Sequence, residues 1–158
     1  MDNTRSHAFF REYLATLPPE HPHHSHTFSA WGFGDSSAMA DELGALVVNG
    51  TKTATSSLVW EYEFDDERLP QVGDLGVVLD GHDQPIALIE TIEVRILPFN
   101  QVEEAFAYDE GEDTRTLAQW REGHWRFFHR VCQRIGREVD ETMPILCERF
   151  RVIYIPVL

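Results

Sequence analysis

The stretch LGVVLDGHDQPIALIETIEVRIL, residues 75–97, decides the fold class. LGVVLD is a short, continuous apolar run entered through the turn Val72-Gly73-Asp74, as a buried strand would be. Gly81 to Gln84 then reads as a hairpin turn, so the long run PIALIETIEVRIL returns antiparallel to it. A strand of that length stays within a small sheet only if it bends or carries a bulge. Working outward toward the N-terminus, TKTATSSLVW alternates like a strand or a strand entry, and FSAWGF (28–33) reads as a short aromatic strand. Ser36 or Ser37 caps a helix through Met39, Leu43, Leu46 and Val47 that stops at Asn49-Gly50. Ser6 to Leu17 has helical spacing in Phe9, Phe10, Tyr13, Leu14 and Leu17, and ends at Pro18-Pro19.

Toward the C-terminus, a short helix around Val102 to Ala107 leads into an acidic loop, YDEGED. Thr114 to Ile135 reads as the longest helix, with Leu117, Trp120, His124, Phe127, Phe128, Val131 and Ile135 on one face. ILCERFRVIYIPVL alternates and supplies a last strand. Several strands with few consecutive βαβ units predict an α+β fold around a small curled sheet or barrel. No repeat, linker or second domain is visible.

At 158 residues and 18.2 kDa the chain suits one compact domain. It carries 13 Lys+Arg against 27 Asp+Glu, a net charge of −14, so a generic polyanion binder is disfavoured and any nucleic acid or nucleotide needs a local site. The absence of a long apolar run predicts no membrane span, and the start, MDNTRSHAFFREYL, lacks a signal-peptide core. Cys132 and Cys147 have no disulfide-framework or zinc spacing and read as reduced thiols, which points to a cytoplasmic protein. Of the 13 basic residues 12 are Arg, and Lys52 is the sole Lys. An Arg stays protonated, whereas a Lys amine can be desolvated into a base or nucleophile.

Lys52 lies in Gly50-Thr51-Lys52-Thr53-Ala54-Thr55-Ser56, where a helix ends and a strand begins. A Thr hydroxyl attacks only when a base accepts its proton, and a desolvated Lys amine is such a base. In an extended segment Lys52 and Thr55 would face opposite ways, so their pairing requires a turn or bulge. The segment lacks the Gly-rich lead of a P-loop.

The segments WGFG, NGTKTATSSL, LPQVGDLGVVLD, PIALIETIEV, FAYDEGED, W…H..FF and CERFRVIY occur in this order. Together, from about Phe28 to Ile155, they resemble an ASCH-domain protein of the longer bacterial type. The resemblance implies a PUA-like small curled β-barrel flanked by helices. It places an ASCH domain at 28–158 and makes residues 1–27 an extension of one helix and a His-rich loop. Short members of the family are amidohydrolases that deacylate N4-acetylcytidine with a Lys, a Thr and a Glu; some longer members are described as ribonucleases, and the family was first proposed to bind RNA. Carried over, the Lys falls on Lys52, the Thr nucleophile on Thr55 and the Glu on Glu110, with Glu112 as the alternative carboxylate. Here Lys52 would be a neutral amine that accepts the Thr55 proton, and Glu110 would read the pyrimidine edge or help protonate the leaving amine. Ser56 and Ser57 offer oxyanion donors, and Trp31, Phe33, Trp60 and Tyr62 offer faces for a flat base. The implied partner is a small modified nucleoside, with RNA as the alternative, and the route requires no metal or cofactor. The N-terminal extension, the WGFG strand, the longer acidic loop and Ser57, where some short members carry Arg, depart from the short members.

Several features compete with this reading. His21, His23, His24 and His26 form a loop that resembles an adventitious metal binder more than a catalytic one. His124 sits on an apolar helix face, where a packed core residue is the ordinary outcome. Arg126, Arg130, Arg134 and Arg137 form a stripe suited either to solvent or to an RNA backbone. Glu61, Glu63, Asp65, Asp66 and Glu67 are the acids that a metal-dependent ribonuclease would combine with Asp109 to Asp113. A noncatalytic RNA-binding module and a regulatory domain for a modified nucleotide complete the alternatives.

Overall fold

In the computed structural model, residues 4–156 are described. Residues 1–3 of the N-terminal extension and 157–158 of the ASCH domain lie outside them. The strands are β1 (Ser29–Gly32), β2 (Ala54–Leu58), β3 (Leu75–Leu79), β4 (Pro85–Pro98) and β5 (Pro144–Tyr154). The helices are α1 (Thr4–Leu14), α2 (Ser37–Val48), α3 (Val59–Phe64), α4 (Glu104–Glu110) and α5 (Leu117–Ile135). The strands form one sheet in the order β1-β3-β4-β5-β2. β3 pairs antiparallel with β4, as the hairpin predicts, with a register shift between Val78 and Leu79. β2 pairs antiparallel with β5, whereas β1 runs parallel to β3. The fold is α+β and PUA-like, a small curled sheet flanked by helices, as expected.

The chain packs as two compact units, one from Met1–Gly50, Gly73–Thr91 and Arg151–Leu158, the other from Thr51–Val72 and Ile92–Phe150. They interleave along the sequence, so neither could have been read as a consecutive domain. In the first unit, Phe9, Phe10 and Tyr13 of α1 are buried with Leu75, Val77 and Leu79 of β3 and with Leu88. Residues 1–27 are an extension by pattern, yet their helix supplies part of the core. In the same unit Trp31 lies over Gly76, where an added Cβ would fall 2.1 Å from the indole, and Phe33 is buried. The His loop does not gather a ligand set: His21 Nδ1 accepts from the His23 amide, His23 Nδ1 meets the Tyr13 hydroxyl at 2.7 Å, and His24 and His26 each bond a backbone carbonyl.

The second unit packs Ala54, Leu58, Phe99, Phe106, Trp120, Phe128, Ile145 and Cys147 into its core, with α5 contributing its apolar face. α5 begins at Thr116, whose hydroxyl accepts from the Gln119 amide, and ends at Gly136 in the left-handed region. Two local expectations change. Val59 and Trp60, read as the end of the TKTATSSLVW strand, instead open the short helix α3. Asp109 and Glu110, placed in a loop from sequence, are the last residues of α4, which closes at Gly111 in the left-handed conformation (φ 72°). The run of acids hid the helix because Asp and Glu near a helix C-terminus oppose its dipole.

Because α1 is part of the first core, Phe10→Ala should lower stability by about 3–5 kcal/mol, read as a shifted urea midpoint with an unchanged slope. A detachable extension would show almost no change.

Candidate active site

The site is built where the end of α4 meets the segment leading into β2. Thr53 N donates to the Asp109 carbonyl at 2.8 Å, and Phe150 N donates to the Thr53 carbonyl at 3.1 Å. These backbone bonds hold residues 51–53 against α4 and β5. Gly111 makes the approach possible, since a Cβ there would stand 2.6 Å from the Thr51 carbonyl oxygen and 3.1 Å from Lys52 Cα. Its positive φ would add strain for any other residue.

Lys52 is 1% exposed and points at the end of α4. Its Nζ donates to Glu112 Oε2 at 2.9 Å, to Glu110 Oε1 at 3.1 Å and to the Glu110 carbonyl at 3.3 Å. Glu110 is equally buried, and its other oxygen collects three more groups. Ser56 Oγ donates to Oε2 at 2.7 Å, Trp120 Nε1 also donates to it, and His124 Nε2 lies 3.4 Å away. His124 stacks on Trp120 with ring centroids 4.3 Å apart. Glu112 keeps one-fifth of its side chain exposed and is the outermost of the four charged groups.

The protonation states follow from these contacts. Burial opposes charge on Lys52, but Glu110 and Glu112 outweigh it and raise its pKa above the ordinary Lys value. Lys52 therefore rests as an ammonium, which corrects the expectation of a resting neutral amine. Burial alone would raise the Glu110 pKa, yet His124, Lys52 and the bonds from His124 and Trp120 hold it well below the ordinary Glu value. A carboxylate held this way by four groups is an anchor and a poor proton donor, so the acid role read for Glu110 is not supported by its surroundings. Glu112 differs: burial and the neighbouring Glu110 charge raise its pKa despite the pull of Lys52. It is the carboxylate suited to carry a proton.

β2 pairs with β5 without a bulge, Thr55 opposite Glu148 and Ser57 opposite Leu146. Side chains alternate, so Ser56 takes the Glu110 side while Thr55 and Ser57 take the other. Ser56 is thus the β2 hydroxyl that bonds into the cluster, and sequence reading had assigned it only an oxyanion role. Thr55 is half-buried and its hydroxyl makes no side-chain hydrogen bond among the described residues. Ser57 bonds the Tyr62 hydroxyl at 3.0 Å, and burial pushes the Tyr62 pKa up, keeping the phenol protonated. Trp60 packs against the core with the Arg137 guanidinium 4.4 Å over its ring. Trp31 and Phe33 belong to the first unit. The signal for His124 was its i, i+4 spacing from Trp120 on α5; Glu148, buried and across the ladder from Thr55, had no sequence signal.

Glu110, Glu112 and His124 offer ligand atoms within 4.8 Å of one another, a spacing within reach of a cation. The Lys52 ammonium lies on both carboxylates, and the Glu110 Oε2 atom already receives N–H and O–H donors, so we assign this position to Lys52. The other charged stretches satisfy one another: Arg134 bonds Glu61 and Asp65, Arg137 lies 3.9 Å from Glu63, and Arg126 pairs with Glu122. Two arginines of the stripe, Arg134 and Arg137, thus meet the acidic run, while Arg126 pairs within α5. Burial pushes the Cys147 thiol up to about 12, which leaves it inert as a nucleophile near neutral pH. Among the described residues, no helix is long and apolar enough to cross a membrane.

Fold and site together define a PUA-like α+β protein with a buried Lys–Glu centre. A family model of the ASCH domain matches residues 29–154, and the chain belongs to that family. It is similar to an ASCH domain from Lactobacillus crispatus JV V101, at 38% identity over 95% of this chain and 94% of that one, with a TM-score of 0.90. A protein from Enterococcus faecalis V583 is 37% identical over 93% of this chain and 86% of its own, with a TM-score of 0.82. The hypothetical protein PH0355 shares the fold alone, at 13% identity over 80% of this chain and 100% of its own, with a TM-score of 0.52. No curated protein matches.

Two outcomes test the site as built. Glu110→Gln should cost about 3–5 kcal/mol, because it removes one of the two carboxylates that compensate the buried Lys52 ammonium. The native Glu110 contribution is present above the unfolded Glu pKa and fades as pH falls through the depressed folded value, so the variant's acid-side loss of stability should be shallower. Gly111→Ala should cost at least about 1–3 kcal/mol through backbone strain alone, measured by urea unfolding.

Proposed function

We propose that this ASCH-domain protein hydrolyses the N4-acyl amide of N4-acylated cytosine nucleosides, such as N4-acetylcytidine, to the nucleoside and a carboxylic acid. The observation that carries this reading is the 2.9 Å bond between Lys52 Nζ and a Glu112 carboxylate whose proton affinity is raised. Moving one proton along that bond turns a buried ion pair into a neutral amine and a carboxylic acid. Substrate binding favours the exchange, since expelling water disfavours separated charge. Thr55 stands on the face of β2 opposite Ser56, so in this scheme the amine accepts the Thr55 proton through an intervening water, and Thr55 Oγ1 attacks the acyl carbonyl.

Collapse of the tetrahedral adduct breaks the C–N bond, and the exocyclic nitrogen takes a proton from the Lys52–Glu112 pair. Water then cleaves the Thr55 ester, releasing the acid and restoring the hydroxyl. Glu110 stays ionised and holds Lys52 and Ser56 in place. Ser57 and the protonated Tyr62 supply donors for the oxyanion or the nucleoside. Thr55 is the nucleophile in this scheme because its hydroxyl is unengaged, whereas Ser56 gives its proton to a weakly basic carboxylate. Trp60 remains a proposed base-stacking residue.

Purified protein incubated with N4-acetylcytidine in EDTA should release cytidine, followed by chromatography. Thr55→Ala should abolish release, and Lys52→Arg, which keeps the charge but cannot serve as a base, should lower it by at least about 100-fold. Ser56→Ala should retain measurable turnover. Full activity in Lys52→Arg refutes the proton-transfer role; loss in Ser56→Ala with activity in Thr55→Ala reassigns the nucleophile. Cleavage of labelled RNA, with no release from the nucleoside, refutes the reading.

A further inference from the structure

The catalytic scheme leaves His124, a partly buried titratable group in contact with Glu110, without a task. His124 is on α5, and its two ring nitrogens meet different partners. Nδ1 lies 2.9 Å from the Trp120 carbonyl oxygen, and Nε2 lies 3.4 Å from Glu110 Oε2. A carbonyl oxygen only accepts, so Nδ1 carries a proton. If the ring were neutral, Nε2 would aim a lone pair at an ionised carboxylate oxygen. That oxygen already accepts from Ser56 and Trp120, so it has no proton of its own to offer. The contact is favourable only when Nε2 is protonated as well.

We propose that His124 is a partly buried imidazolium that positions Glu110, and through Glu110 holds Lys52 and Ser56 in register. With it the centre holds two cations and two anions, Lys52 and His124 against Glu110 and Glu112, and is neutral as a whole. Without it, two carboxylates would share one ammonium. Lys52 would then be harder to deprotonate, and Glu110 would lose one of the contacts that fix its Oε2 oxygen. The groups facing His124 are Glu110 from the end of α4, with Lys52 on its other oxygen, Glu112 from the following loop, and the Trp120 and Phe128 rings of its own helix. Burial alone would favour the neutral ring, but Glu110, Glu112 and the Trp120 carbonyl outweigh it and raise its pKa. The charge is therefore kept at neutral pH and lost as pH rises through that raised value.

This inference deepens the proposed hydrolase reading, and its test has readouts that do not depend on turnover. In ¹⁵N-histidine spectra of the intact protein at about pH 7.5, where an ordinary imidazole is mostly neutral, both His124 nitrogens should be protonated. In His124→Gln the Trp120 indole N–H resonance, shifted downfield by its bond to Glu110, should move back upfield. With N4-acetylcytidine, wild-type kcat/KM should fall on the alkaline side as His124 deprotonates. The variant should start about 100-fold lower and lack that limb. A neutral His124 at about pH 7.5 overturns the proposal, whatever the activity. So does an unmoved Trp120 resonance, or an alkaline limb that persists in the variant, because a purely structural residue would lower activity without changing the profile. If wild type does not release cytidine, the hydrolase reading fails, and the two spectroscopic readouts decide the His124 assignment alone.

Discussion

Everything in the second unit is arranged around one costly act, the burial of the Lys52 ammonium. Removing such an ion from water costs several kcal/mol even after relaxation, and a single carboxylate seldom returns that in full. Here the ammonium meets two carboxylates and a helix-terminal carbonyl. The C-terminal end of α4 is itself a centre of partial negative charge, so the cation sits where the helix dipole favours it. Gly111 then lets the backbone pass close enough for these contacts to form.

A second consequence is the division of labour between the carboxylates. Glu110 is deep, held by Lys52, Ser56, Trp120 and His124, and kept ionised. Glu112 is one residue past the helix cap, partly exposed, and disfavoured as an anion by its neighbour. Two identical side chains thus acquire opposite tendencies from burial and from the charges around them, which separates an anchor from a proton carrier. The contacts of Glu110 with Lys52 and His124 also tie the pre-β2 segment, α4 and α5 together.

The charged surfaces have a plainer role. Arg134 and Arg137 meet the acids of α3, while Arg149 bridges Glu93 and Asp109. These pairs are half-exposed or exposed, and each adds little to stability. They set two of the four arginines of the stripe, Arg134 and Arg137, against acids.

Much of this was legible in one dimension. The continuous apolar run at 75–79, the alternation from 145 onward and the period-three-to-four spacing in 117–135 report which segments and faces are apolar, and burial largely follows from that pattern. The isolation of Lys52 among arginines singled out the chemical residue, because only its side chain can exchange a proton under mild conditions. Local sequence could not show the partners of that lysine. Glu110 is 58 positions away and His124 a further fourteen, so their meeting depends on how α4 and α5 pack. It could not show that β2 runs unbulged, which turns Ser56 rather than Thr55 toward the carboxylates. Nor could it place α1 in a core with β3, since that contact spans more than sixty residues. Sequence by itself determined which segments alternate, which faces are apolar and which side chain is chemically distinct, all properties of residues a few positions apart. Tertiary structure alone decided which carboxylate is buried, which hydroxyl meets it and which groups hold their protons, because those depend on distance and dielectric between residues far apart in the chain.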